Sequence, residues 1–134
     1  MSSPIVTPLQ QEQNALLVRG YISCIGDKKY DELEKYLHTD FEFNGPITLH
    51  GAADYIDMLK NHSKHTVGVE VKAVFVDSCD CCVMYDLMMD ARLGAVPCLE
   101  WLTIKDGKVA ATRLHFDRLR MMEIRRQVSG NSSK

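Results

Sequence analysis

Two runs of strand-forming residues meet at Asp106-Gly107, and that junction restricts the fold more tightly than anything else in the chain. The first run reads V-P-C-L-E-W-L-T-I-K from Val96. The second reads K-V-A-A-T-R-L-H-F-D and ends at Asp117. Asp-Gly between such runs signals a hairpin, because both residues tolerate the positive φ of a two-residue turn. The turn sets the register, and the register sets which side chains share a face. Cys98, Glu100 and Leu102 then lie on one face, opposite the inward Thr112 and Leu114, while Trp101 points the other way. Glu100 is the anomaly in this pattern. A carboxylate in the middle of an otherwise buried strand is costly unless something satisfies it.

Upstream, the apolar spacing predicts a first helix over Gln10–Gly26, with Ala15, Leu16, Val18, Ile22 and Ile25 as its stripe. A short second helix is expected over Asp31–Leu37, with Asp31 as N-cap. Phe41–Asn44 reads as a short strand, and a loop through His50-Gly51 leads to a third helix, Ala52–His62, with Tyr55, Ile56 and Leu59 inward. Thr66–Asp77 alternates, which places Val67, Val69, Val71, Ala73 and Phe75 together. Asp80–Arg92 follows as a strand, with Cys81, Val83, Tyr85, Leu87, Met89 and Ala91 on its apolar face. Arg118–Gln127 reads as a short helix.

Helices followed by long antiparallel strands make an α+β layout, one curved sheet with three helices on its concave face. The 134 residues suffice for one domain with a real core. We place it at 10–127, between a flexible arm, 1–9, and a flexible tail, 128–134. The formal net charge is −2, and no basic surface is concentrated enough to suggest nucleic acid. No apolar run approaches a membrane span, and the expected location is the cytoplasm. Cys24, Cys79, Cys81, Cys82 and Cys98 are an odd set, expected to be reduced. Cys79, Cys81 and Cys82 lack zinc spacing, and Cys81 and Cys82 should face opposite sides of a strand, so no metal or other cofactor is expected.

Three stretches in order resemble the NTF2-like superfamily of cystatin-like α+β cones, which includes SnoaL-like cyclases, ketosteroid isomerases and limonene-epoxide hydrolases. They are Y-I-S-C-I-G-D-K-K-Y-D-E-L-E-K-Y-L-H-T-D-F, H-G-A-A-D-Y-I and D-G-K-V-A-A-T-R-L-H-F-D. The resemblance runs from about Leu16 to Met122. It implies a conical pocket for a small apolar molecule. The isomerases use a first-helix tyrosine and a protonated acid on a late strand as an oxyanion hole, the handling of a neutral buried acid for which that family is known. Those positions fall on Tyr21 and Glu100. The aspartate base position falls on Gly45, or on Asn44 with a slip of one, and neither is a carboxylate. The epoxide-hydrolase residues fall near Cys81, Val83, Leu114, Phe43 and Gly45, none of which activates water.

The expected site is therefore Glu100 and Tyr21, in a pocket lined by Phe43, Val83, Cys98, Leu102, Thr112, Leu114 and Phe116, with His50 at its mouth. For Glu100 the competing reading is a surface carboxylate paired with an arginine such as Arg113. For Tyr21 it is plain core packing. His62 and His65 are expected in solvent and His115 on the outer face. Three functions compete: an isomerase-, cyclase- or dehydratase-type enzyme with Tyr21 and Glu100 as oxyanion donors, a hydrophobic-ligand-binding module without turnover, and a dimerisation module. An outward Trp101 leaves apolar area uncovered on the sheet, which favours a homodimer joined through it.

Overall fold

In the computed structural model of the chain, which describes residues 7–90 and 92–132, the elements are α1 (Pro8–Gly26), α2 (Tyr30–Tyr36), β1 (Leu37–Asn44), β2 (Thr48–His50), α3 (Ala52–His62), β3 (Thr66–Asp77), β4 (Asp80–Met89), β5 (Ala95–Lys105), β6 (Lys108–Phe116) and α4 (Arg118–Ser132). Asp106 and Gly107 both take positive φ, 53° and 72°, as a tight hairpin turn requires. Glu100 stands opposite Leu114, and Leu102 opposite Thr112.

The six strands form one sheet in the order β2-β1-β6-β5-β4-β3. It departs from the expected antiparallel sheet in one pairing, because β1 runs parallel to β6. Register shifts interrupt β1 against β6, β3 against β4 and β5 against β6. Such bulges bend and twist a sheet, and this one curls around a core built from α1, α2, α3 and the inner strand faces. The stretch read as a short fourth helix is the full element α4, whose Ile124 is 2 % exposed and joins the three helices expected on the concave face. It runs past the expected end at Gln127, so part of the stretch read as a polar tail is helical.

The first helix begins earlier than Gln10. Thr7 accepts from the backbone of Gln10, the Gln10 side chain returns the bond, and Pro8 occupies the first turn, a capping box with its usual proline. Residues 1–6 of the expected arm lie outside the described residues. The buried face of α1 is Val18, Tyr21, Ile22 and Cys24, and Leu16 points to solvent. The second helix starts at Tyr30, with Lys29 rather than Asp31 at its N-cap. The loop expected before Gly51 contains β2, which pairs with β1 through Phe43 and Leu49.

The expected inner face of β3 is the main correction. Val69 pairs with Leu87 and Val71 with Tyr85, but the register slips there, and Val74 and Val76 then pair with Val83 and Cys81. The extra residue rotates the strand, so Ala73 and Phe75 go to the outer face and Phe75 is 58 % exposed. A second slip, between Thr66 and Gly68, leaves Val67 exposed. Strand β4 keeps the expected alternation through Met89, and Ala91 lies outside the described residues. Among the described residues no helix is long and apolar enough to cross a membrane.

Candidate functional site

Hairpin alternation carries Glu100 into the interior, where it is 1 % exposed. Three hydroxyls converge on it from three elements. Tyr21 on α1 donates to Oε2 at 2.7 Å. Thr112 on β6 donates to the same oxygen at 2.6 Å. Tyr85 on β4 donates to Oε1 at 2.8 Å. Behind Tyr21 stands Tyr55 of α3, its hydroxyl 2.5 Å from that of Tyr21. Because the Tyr21 proton is directed at Glu100, Tyr55 is the donor of that pair when Glu100 is ionised. The Tyr55 ring is fixed between Phe41 and Phe43, with ring centroids 4.8 and 5.1 Å away. Among the described residues no buried side-chain polar atom lacks a partner, as a stable buried network demands.

Burial and the hydroxyls act on Glu100 in opposite directions. Loss of hydration raises its pKa, the bonds from Thr112, Tyr21 and Tyr85 oppose the rise, and the net direction is upward. Tyr21, Tyr55 and Tyr85 are all pushed well above the ordinary tyrosine range, by burial first and then by the nearby Glu100 charge. The Cys98 thiol is pushed up to about 12 by the same two causes in the same order. It is a neutral, unreactive wall residue.

Glu100, Tyr55 and Tyr85 open onto a cavity of about 660 Å³ between the sheet and α3 and α4. That volume is ordinary for a small-molecule site. Its walls include Phe43, Cys98, Leu114 and Phe116, four of the residues expected there. Val83, Leu102 and Thr112 are fully buried behind the wall and do not line it. Tyr21 is also behind the wall, 0 % exposed, and meets Glu100 from there. His50 is not at the mouth. It projects from β2 into solvent, 3.8 Å from Glu42. Of the other histidines, His62 and His65 line the outer part of the cavity, and His115 faces outward opposite Leu99.

The position where an isomerase-like base would stand is occupied by packing. A Cβ on Gly45 would come within 2.6 Å of the Phe43 ring, and the Asn44 amide is bonded to the Thr112 carbonyl at 3.3 Å. Glu100 is the one carboxylate among the described residues lining the cavity. Arg113, its expected surface partner, instead lies over the Trp101 ring on the outer face, 4.5 Å from the centroid.

Sequence reasoning passed over Tyr55 and Tyr85. Both sit at inward positions of correctly assigned elements, and a hydroxyl carried on an inward aromatic was the available signal. The cysteines are free thiols, with Cys81 buried on the inner face and Cys82 on the outer. Among the described residues no three ligands gather where they could hold a metal.

A model of the SnoaL-like domain matches residues 18–112. No curated protein matches the chain. Solved structures do. One is a candidate SnoaL-like polyketide cyclase from Jannaschia sp. CCS1, with TM-score 0.74 and 18 % identity over 90 % of this chain and 95 % of that one. An NTF2-like protein of unknown function from Cytophaga hutchinsonii aligns with TM-score 0.70 and 19 % identity, over 91 % of this chain and 99 % of that one. An LEH-like epoxide hydrolase from M. tuberculosis aligns with TM-score 0.70 and 16 % identity, over 93 % and 99 %. At such identities the likeness is one of fold, an NTF2-like cone that serves many chemistries.

Proposed function

Since the chain belongs to the SnoaL-like domain family, we propose that it is a small-molecule enzyme that moves a proton on an apolar carbonyl compound held in the cone. The observation that carries this reading is Glu100, a buried carboxyl bordering the cavity and bonded to three hydroxyls.

The hydroxyl network gives one group two roles. As a carboxylate, Glu100 accepts from Tyr21, Tyr85 and Thr112, and as the one carboxylate among the described lining residues it can take a proton from a carbon beside a carbonyl. Once protonated it can donate along one of those bonds. Donation to Tyr21 reverses the chain, so that Tyr21 donates to Tyr55 and the Tyr55 proton turns into the cavity. Donation to Tyr85 frees the Tyr85 proton in the same way. A hydroxyl donor therefore reaches the substrate oxygen as that oxygen becomes negative, which is when such a donor lowers the barrier. Return of the proton to a different carbon completes an isomerisation, and loss of a leaving group instead completes a dehydration. Tyr21 positions and relays here, while Tyr55 and Tyr85 present the donors.

The test is α-proton exchange of an apolar ketone, β-tetralone, in deuterium oxide followed by NMR. Exchange above background is expected, falling on the order of 10²-fold in Glu100→Gln and markedly in Tyr85→Phe. A second reading, an apolar-ligand carrier without turnover, draws on the absence of a second carboxylate from the described lining. Tight binding of the ketone with no exchange above background would select it and overturn the enzyme.

A further inference from the structure

The cavity is electrically lopsided. Its buried end holds Glu100, Tyr55 and Tyr85, all at 5 % exposure or less. Its middle is apolar, with Leu87, Met89 and Leu114 among the wall residues. Its exposed rim carries Lys64, from the connection between α3 and β3, and Arg125 from α4. His62 and His65 belong to the same outer part, and among the described lining residues there no Asp or Glu occurs. His65 is engaged by Asp90 at 3.2 Å. Lys64 and Arg125 make no ion pair among the described residues.

Resting on the reading of this cavity as a ligand site, we infer that its ligand is an amphipathic anion, with an apolar body seated in the cone and a carboxylate or phosphate head at the Lys64–Arg125 rim. The orientation follows from charge. An anionic head driven inward would lose its hydration and meet Glu100, whereas at the rim it meets two cationic side chains while still partly in water. The apolar walls account for the body, because removing such a surface from water is the main favourable term for a ligand of this kind. The end that reaches Tyr55 and Tyr85 meets hydroxyls already bonded to Tyr21 and Glu100, so it can be uncharged. An apolar chain or ring system with a single anionic group, at its outer end, meets these conditions.

Calorimetric titration of the full chain with dodecanoate, dodecyl phosphate, methyl dodecanoate and dodecanol, each below its micellar concentration, tests this. At least one anion should bind roughly tenfold more tightly than both neutral compounds, the size of one partly exposed charge-assisted contact. The better of the two anions identifies the head. The double variant Lys64→Gln/Arg125→Gln should lose that preference, keep its affinity for dodecanol and melt at the wild-type temperature. Equal binding of charged and neutral compounds overturns the inference and leaves the cavity as a ligand site. So does a preference that survives the double substitution. Failure of all four compounds to bind overturns both.

Discussion

At the residue scale, Glu100 ties the site to the stability of the chain. Its carboxyl titrates higher in the folded state than in the unfolded state because burial disfavours the charge. Between the two titrations the folded chain holds more protons, so stability falls as pH rises. The contribution is complete below the unfolded carboxyl pKa, about 4.3, and is lost as pH climbs through the folded value. Glu100→Gln keeps the shape and lacks the titration. Urea unfolding of both proteins across the acid-to-neutral range should show the wild type losing ground to the variant as pH increases. A constant difference would mean that the folded carboxyl titrates as it does unfolded. Glu100→Ala should cost on the order of 3 kcal/mol at acidic pH and less as pH rises, because it leaves a gap and strands hydroxyls that now share one acceptor, while the wild type alone loses stability through the carboxyl. The inward aim of Glu100 was legible, since a two-residue turn and strict alternation leave it nowhere else to go. Its partners were legible only in part. Tyr21 could be placed beside it, but that the cavity would see Tyr55 and Tyr85 rather than Tyr21 depends on how far α1 and α3 stand from the sheet, which no local pattern encodes.

At the scale of elements, the contact between α1 and β3 is set by one glycine. A Cβ on Gly26 would stand 2.7 Å from Val69 Cγ2 and 3.0 Å from the Val69 backbone nitrogen, so the helix end rests directly on strand backbone. Gly26→Ala should therefore destabilise by about 1–3 kcal/mol, through overpacking against an atom that cannot move aside. Gly68→Ala is the contrast. Nothing lies within 4 Å of the added carbon, and that change should be neutral or slightly stabilising through the unfolded chain. Thermal melts of the two variants check the pair, and equal shifts would contradict the close approach. Element type was readable from the sequence almost throughout, because periods of 2 and 3.6 differ plainly. The phase of β3 was not. The bulge between Val71 and Ala73 is written in its pairing with β4, and a uniform alternation of Val, Ala and Phe looks the same with or without it.

At the scale of the molecule, the sheet has helices on one face and uncovered side chains on the other. Phe75, Met84, Leu99 and Trp101 are each at least 38 % exposed. They lie in neighbouring rows, Phe75 with Cys82 and Trp101, and Met84 with Leu99. Arg113 covers part of the Trp101 ring, and Asp80 Oδ1 accepts from its indole nitrogen at 3.1 Å. A patch of this kind on a sheet face is expected to bind a second copy. Light scattering at micromolar concentration should give a dimer mass, and Trp101→Glu should halve it without lowering secondary-structure content. A monomeric wild type would count against the sheet-to-sheet pairing.

Strand β5 serves both surfaces at once. Val96, Cys98, Glu100, Leu102 and Ile104 are buried, while Leu99, Trp101 and Lys105 reach the outside. Neighbours in the chain thus answer to different demands. Inheritance can alter the outward set while the inward set goes on holding the carboxyl and its hydroxyls in place. One strand carries two records that can diverge at different speeds, and they are read apart by taking every other letter.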